Sequence, residues 1–234
     1  MAEFLNSFFF GIYPYIALVV LVVGSIVRYD RDPYTWKTGS SQLLRRKQLM
    51  AGSVMFHVGI LGIFFGHVVG LLTPLWVWEV IGLSSANKQL IAVVAGGAAG
   101  ALGIIGATLL IHRRFFDARV RATSSFADNG IILILWLQFA LGLGTILVSI
   151  EHLDGKEMLK FVSWAQGIFT FNPDAADYIM DVAPIFKAHI FLGLTIFILF
   201  PFTRLVHMLS APVRYIWRSG YQIVRTKRDV PPAE

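Results

Sequence analysis

Four histidines lie inside long apolar stretches of the chain: His57 and His67 within FHVGILGIFFGHVVG, and His189 and His207 between Ala183 and Leu209. An imidazole in hydrocarbon is costly and normally has a partner. Two facing helices that carry two imidazoles each can grip two metal porphyrins, each iron taking one nitrogen from either side. The 234 residues include no cysteine, which excludes thiolate-held iron–sulfur clusters, thioether-attached haem and disulfides. Any iron–sulfur or molybdenum chemistry must therefore reside on another polypeptide.

The elements that must position these rings are of membrane length. The chain is 56% hydrophobic and only 15% charged, with mean hydropathy +0.67, whereas a soluble domain carries roughly a quarter of charged residues. Apolar runs of about the 20 residues needed to cross a hydrocarbon core fall at 8–27, 50–78, 90–111, 130–150 and 183–209. The expected fold class is all-α: an integral membrane bundle of five transmembrane helices, forming a single membrane domain over 1–234. The N-terminal run has no basic region or small-residue cleavage site before it, so it is expected to be a retained span.

Charge sets the expected orientation. The connections after the first and third runs carry six and four Lys/Arg, and the tail 210–234 carries five. The opposite side carries three: Lys88, Lys156 and Lys160. By the positive-inside rule the N-terminus is expected outside and the C-terminus in the cytoplasm, in a multi-pass protein of the cell inner (cytoplasmic) membrane. The basic balance reflects orientation in the lipid bilayer, and no nucleic-acid partner is expected. The long connection from Glu151 to Val182 is acidic, and its centre, KEMLKFVSWAQGIFTF, is apolar enough to form an interfacial helix.

Depth then pairs the histidines. The second run travels from the cytoplasmic side outward, so His67 lies roughly 15 Å further out than His57; the fifth runs inward, so His207 lies about 27 Å deeper than His189. His57 therefore matches His207 at the inner level, and His67 matches His189 at the outer. The eighteen residues from His189 to His207 are five turns and are expected to bring both rings to one helix face, whereas His57 and His67 are offset by roughly 80°. Gly62 and Gly66 are expected to give clearance to a macrocycle. Gly96, Gly97, Gly100, Gly103 and Gly106 suit either clearance or close helix packing. His112 and His152 fall among polar residues at membrane boundaries and read as interfacial.

The stretches FHVGILGIFFGHVVGLLTP, LFPFTRLVHMLSAPVRY, LNSFFFGIYPYIA, RVRATSSFAD and DGKEMLKFVSWAQGIFTF resemble the membrane cytochrome b, or gamma, subunits of respiratory nitrate reductases, from Leu5 to about Tyr221. The resemblance implies a quinol-oxidising subunit with two b haems in series. His57 and His207 correspond to the ligands of the inner haem iron, His67 and His189 to those of the outer. Its implied partners are an iron–sulfur beta subunit and a molybdenum alpha subunit on the cytoplasmic side, and its substrate is menaquinol or ubiquinol. Lys88 falls where the family has a lysine at the quinol site, able to hydrogen-bond a quinone oxygen; the alternative is a snorkelling lysine.

Arg114 and Arg204 stand where a guanidinium can bind the inner haem's propionates, or, like Arg113, serve as positive-inside anchors. Lys187 either meets an outer propionate or snorkels. Trp76 and Trp78 suit an outer aromatic belt. The competing functions are a cytochrome b anchor for a formate dehydrogenase, hydrogenase or sulfur-cycle reductase, a histidine-relay transporter, and a purely structural anchor. A relay needs carboxylates among its histidines, and the centres of these apolar runs have none.

Overall fold

A computed structural model describes residues 1–36, 41 and 44–210, the side chains of Ala2 and His152 excepted. Beyond Ser210 the expected tail lies outside the described residues, as does the end of the resemblance near Tyr221. The His152 reading also concerns a side chain outside that set. Among the described residues every regular element is helical. Five helices are long and apolar enough to cross a membrane: α1 (Glu3–Arg31), α2 (Arg46–Leu72), α4 (Ser85–Phe116), α6 (Phe126–Ser149) and α8, which together with a terminal 3-10 turn spans Pro184–Phe202. Shorter helices are α3 (Leu75–Val80), α5 (Ala118–Ala122) and α7 (Lys156–Phe169). A helix satisfies its own backbone, which hydrocarbon cannot do for it.

The helix starts follow local chemistry. Ser84 Oγ accepts from Asn87 N at the head of α4, Ser125 Oγ from Asp128 N at the head of α6, and Asp117 from Arg119 N and Val120 N at the head of α5. Each side chain satisfies amides that the first turn leaves without intrahelical acceptors.

α2 packs along α4, α4 against α6, α6 against α8, and α8 against α1. The α2–α4 seam depends on glycine. A Cβ at Gly59 would collide with the backbone of Gly103, and one at Gly106 with the backbone of Phe56. Gly62 belongs to this same seam, its would-be Cβ 3.3 Å from that of Ala99. Gly100 and Gly103 face Leu143 and Phe139 of α6. A Cβ at Gly66, Gly70 or Gly96 would meet no atom of the described residues within 4 Å. Among the described residues α2 and α8 share no comparable seam, although both line the face where the histidines meet.

Three prolines shape the helices where the apolar pattern is silent. Pro14 cannot donate to the Phe10 carbonyl and crowds it; the helix widens into a π turn over Phe8–Ile12, and Trp164 Nε1 donates to Phe10 O at 2.8 Å instead. The second run does not continue to Trp78. Thr73, ahead of Pro74, is extended, as the proline ring requires of its predecessor, and Gln166 Nε2 donates to the freed Leu71 and Thr73 carbonyls. The fifth run likewise divides. Helix α8 is regular over Pro184–Leu199, Pro201 sits in a 3-10 turn, and a second 3-10 segment carries Arg204–Ser210. The single face argued for His189 and His207 therefore fails, because their helix is interrupted between them.

The apolar centre of the acidic connection is the helix α7. Its buried residues Trp164, Ala165 and Ile168 join Phe10, Ile179 and Phe186 in one core cluster, so α7 packs onto the bundle. A second cluster, with Phe56, Ala107, Ile131, Leu135, Phe139 and Ile196, fills the space between α2, α4, α6 and α8.

Candidate metal centres

α2 carries His57 and His67 about 15 Å apart by helical rise, and each finds its ring partner across the bundle. The imidazole of His57 lies with its centre 6.0 Å from that of His207, the planes at 76°. That of His67 lies 6.1 Å from His189, at 41°. Two imidazoles that each set a nitrogen roughly 2 Å from one iron, on opposite sides, have ring centres about 6 Å apart. Both pairs have this spacing.

The ring nitrogens of His57, His67 and His207 are oriented to suit. His57 Nδ1 donates to the Ser53 carbonyl at 2.7 Å and His67 Nδ1 to the Ile63 carbonyl at 2.9 Å, while His207 Nδ1 donates to the Arg204 carbonyl. A carbonyl only accepts, so in the neutral ring the proton is on Nδ1 and Nε2 keeps the lone pair that a metal needs. His189 departs from this arrangement: its buried Nδ1 has no hydrogen-bond partner among the described residues, and its Nε2 lies 3.5 Å from Gln138 Nε2. Its backbone carbonyl accepts from Gln138 Nε2 at 3.1 Å, and its ring lies against Gly142, where a Cβ would come within 3.0 Å of Cε1. Gln138 and Gly142, both on α6, position the ring from an element that carries no histidine; the sequence pattern held no sign of them.

Among the described residues no group of three His, Cys, Asp or Glu is arranged to hold a bare metal ion. A protein zinc site needs three or four donors, whereas a porphyrin supplies four nitrogens itself and asks the protein for two axial ones. The donor set fits haem iron held by His57 with His207 and by His67 with His189.

The charged residues divide between the ends. At the basic end Arg204 Nε lies 2.7 Å from Asp128 Oδ1, and Arg114 Nη1 lies 3.6 Å from Asp128 Oδ2. The two arginines picked as propionate partners thus converge on one carboxylate. Asp128 was missed in the sequence, although the Ser125-x-x-Asp128 spacing marks it as part of an N-terminal capping pattern. Arg113 is buried and donates to Ser41 O, Ser41 Oγ and Leu44 O, tying the basic connection to α4. His112 is exposed, meets Gln48 Nε2 through Nδ1 and stacks on Phe116, in keeping with an interfacial position.

At the acidic end Lys88 is only 7% exposed, its Nζ has no hydrogen-bond partner among the described residues, and it stands 4.9 Å over the ring of Trp78. The antiparallel pairing of Gly59 with Gly103 and Gly62 with Ala99 carries on to put Lys88 roughly 9 Å beyond His67 by helical rise. The two tryptophans separate: Trp76 is 64% exposed, as a belt residue is, whereas Trp78 lies against Lys88 with its Nε1 buried and unbonded. Lys187 donates to Met180 O at 2.6 Å and lies over Phe10, two residues and thus roughly 200° around α8 from His189.

The sequence profile of the nitrate reductase gamma subunit family matches residues 6–227. The chain is 52% identical to the respiratory nitrate reductase 1 gamma chain of Escherichia coli K12, over 96% of this chain and 99% of that one. It is 50% identical to the respiratory nitrate reductase 2 gamma chain of the same strain, over 97% and 100%. With the nitrate reductase gamma chain of Bacillus subtilis 168 it shares 39% identity over 93% and 96%. A multi-pass helical chain with paired imidazoles at two levels, matched along almost its whole length to these relatives, belongs to the nitrate reductase gamma subunit family.

Proposed function

We propose that this chain is the di-haem cytochrome b subunit of a respiratory nitrate reductase, oxidising menaquinol or ubiquinol near the outer face of the inner membrane and passing electrons inward. The observation that carries the reading is the pair of imidazole couples with centres 6.0 and 6.1 Å apart. His67 and His189 would hold the outer haem b, His57 and His207 the inner. When bound, the haems supply the one-electron redox chemistry, at two levels along the path from quinol to an iron–sulfur beta subunit and a nitrate-reducing molybdenum alpha subunit in the cytoplasm.

The chain's own residues supply position and polarity. Lys88, buried and without a hydrogen-bond partner among the described residues, is the cation that would donate to a quinol oxygen as negative charge grows there. Its place at the acidic end leaves the quinol protons on the outer side while electrons move inward, a charge separation that contributes to the proton-motive force. Arg114 and Arg204, held together by Asp128, would face the propionates of the inner haem.

Redox titration of membranes containing the assembled complex tests the reading. His67→Ala is expected to remove one b-type spectral component, and quinol oxidation with it. Loss of both components in a folded complex, or of neither, overturns the assignment.

A further inference from the structure

We infer that Arg28, on α1, is a positioning residue for His207 and through it sets the coordination of the inner haem. This rests on the proposed role of His207 as an axial ligand. His57, His67 and His189 each sit in a regular α-helix, whose backbone fixes where the ring points. His207 does not: it follows the break at Pro201, in a 3-10 segment with weaker intrinsic geometry. Its direction needs an outside reference.

α1 provides one. Arg28 Nη1 donates to both the Pro201 and Thr203 carbonyls at 2.7 Å, and Nη2 donates to the Thr35 carbonyl at 3.0 Å. One planar guanidinium thus fixes two carbonyls on the far side of the break, and unsatisfied carbonyls there would be expensive in a membrane. One turn earlier on α1, Gly24 makes room for the break itself: a Cβ there would lie 2.8 Å from Pro201 Cγ. Gly24 and Arg28 share a helix face at i, i+4.

The link to the ring is short. Thr203 is buried, and its Oγ1 accepts from Leu205 N at 3.4 Å. The next carbonyl, that of Arg204, accepts from His207 Nδ1. The Arg28 bond fixes the Thr203–Arg204 peptide plane, and the bond from Leu205 N to Thr203 Oγ1 restrains the adjoining plane, whose carbonyl, that of Arg204, orients the imidazole. A charge serving only as a membrane anchor would turn its donors outward; Nη1 of Arg28 turns onto the backbone that leads to His207.

The test uses the assembled complex in membranes, with Arg28→Ala, Arg28→Lys, Gly24→Ala and, as control, His207→Ala. The readouts are the amplitudes and midpoint potentials of the two b-type components and the low-spin ferric signals in electron paramagnetic resonance. Arg28→Ala is expected to leave the outer component unchanged. It should shift the inner one by the equivalent of a tenfold change in its reduction equilibrium, about 59 mV for one electron, with an altered low-spin signal. Arg28→Lys, which replaces a fork by a single ammonium, should give a smaller shift in the same component, and Gly24→Ala should disturb that component with Arg28 intact.

Unaltered inner signals in Arg28→Ala, or equal disturbance of both components, overturn the inference. If Arg28→Ala fails to assemble, the same criteria apply to Arg28→Lys and Gly24→Ala. Both components surviving in His207→Ala would instead overturn the ligand assignment on which the inference rests.

Discussion

At the scale of single residues, the chemistry depends on polar groups whose partners come from other helices. Lys88 has no hydrogen-bond partner among the described residues, so its substitution by alanine should leave both b-type components in place while quinol-dependent nitrate reduction falls about 10²-fold, as for loss of one charge-stabilising donor. Steady-state turnover beside a reduced-minus-oxidised spectrum checks this. Asp128 holds a negative charge between Arg114 and Arg204. Asp128→Asn removes it, leaves the arginines uncompensated, and should raise the midpoint of the inner component on the order of 60 mV, a tenfold shift for one electron; potentiometric titration reads it. The histidines and arginines were visible in the sequence because their types stand out against an apolar background. Asp128 was not, because a carboxylate at a helix start serves equally as a cap, and only the approach of two other segments makes it a counter-ion.

Among the elements, the glycines of α2 do two different jobs that their even spacing conceals. Gly59 meets the α4 backbone and Gly66 meets nothing within 4 Å. Gly59→Leu should therefore force α2 and α4 apart at a cost of about 1–3 kcal/mol or more and diminish both b-type components together. Gly66→Leu should keep the bundle intact and affect the component assigned to His67 alone. Spectra of matched membrane preparations, with thermal loss of the haem bands as the stability measure, separate these outcomes. The prolines teach a similar lesson. Pro14, Pro74 and Pro201 announce that a helix is disturbed, but the compensating donors Trp164, Gln166 and Arg28 come from α7 and α1, far away in sequence. Hydropathy alone ran the second and fifth spans through their breaks because the flanking residues are apolar on both sides.

For the whole molecule, orientation is the property from which the proposed charge separation follows. The chain has no cysteine, so single cysteines report sidedness cleanly. Lys156→Cys, at a position 82% exposed in the acidic connection, should react with a membrane-impermeant maleimide in cells whose inner membrane is intact. Arg121→Cys, on the basic side, should react only after that membrane is opened; the reverse pattern would invert the proposed direction of electron flow. The sequence by itself determined the helical class, the number of membrane-length runs and the four histidines, since hydrophobic length and rare polar residues in hydrocarbon are properties of one segment at a time. Which glycines touch a backbone, which carboxylate joins two arginines, and how His207 reaches His57 after its helix breaks were decided only in the tertiary structure. Each of these is an agreement between segments distant in the chain, and only packing brings such segments within hydrogen-bonding or van der Waals range.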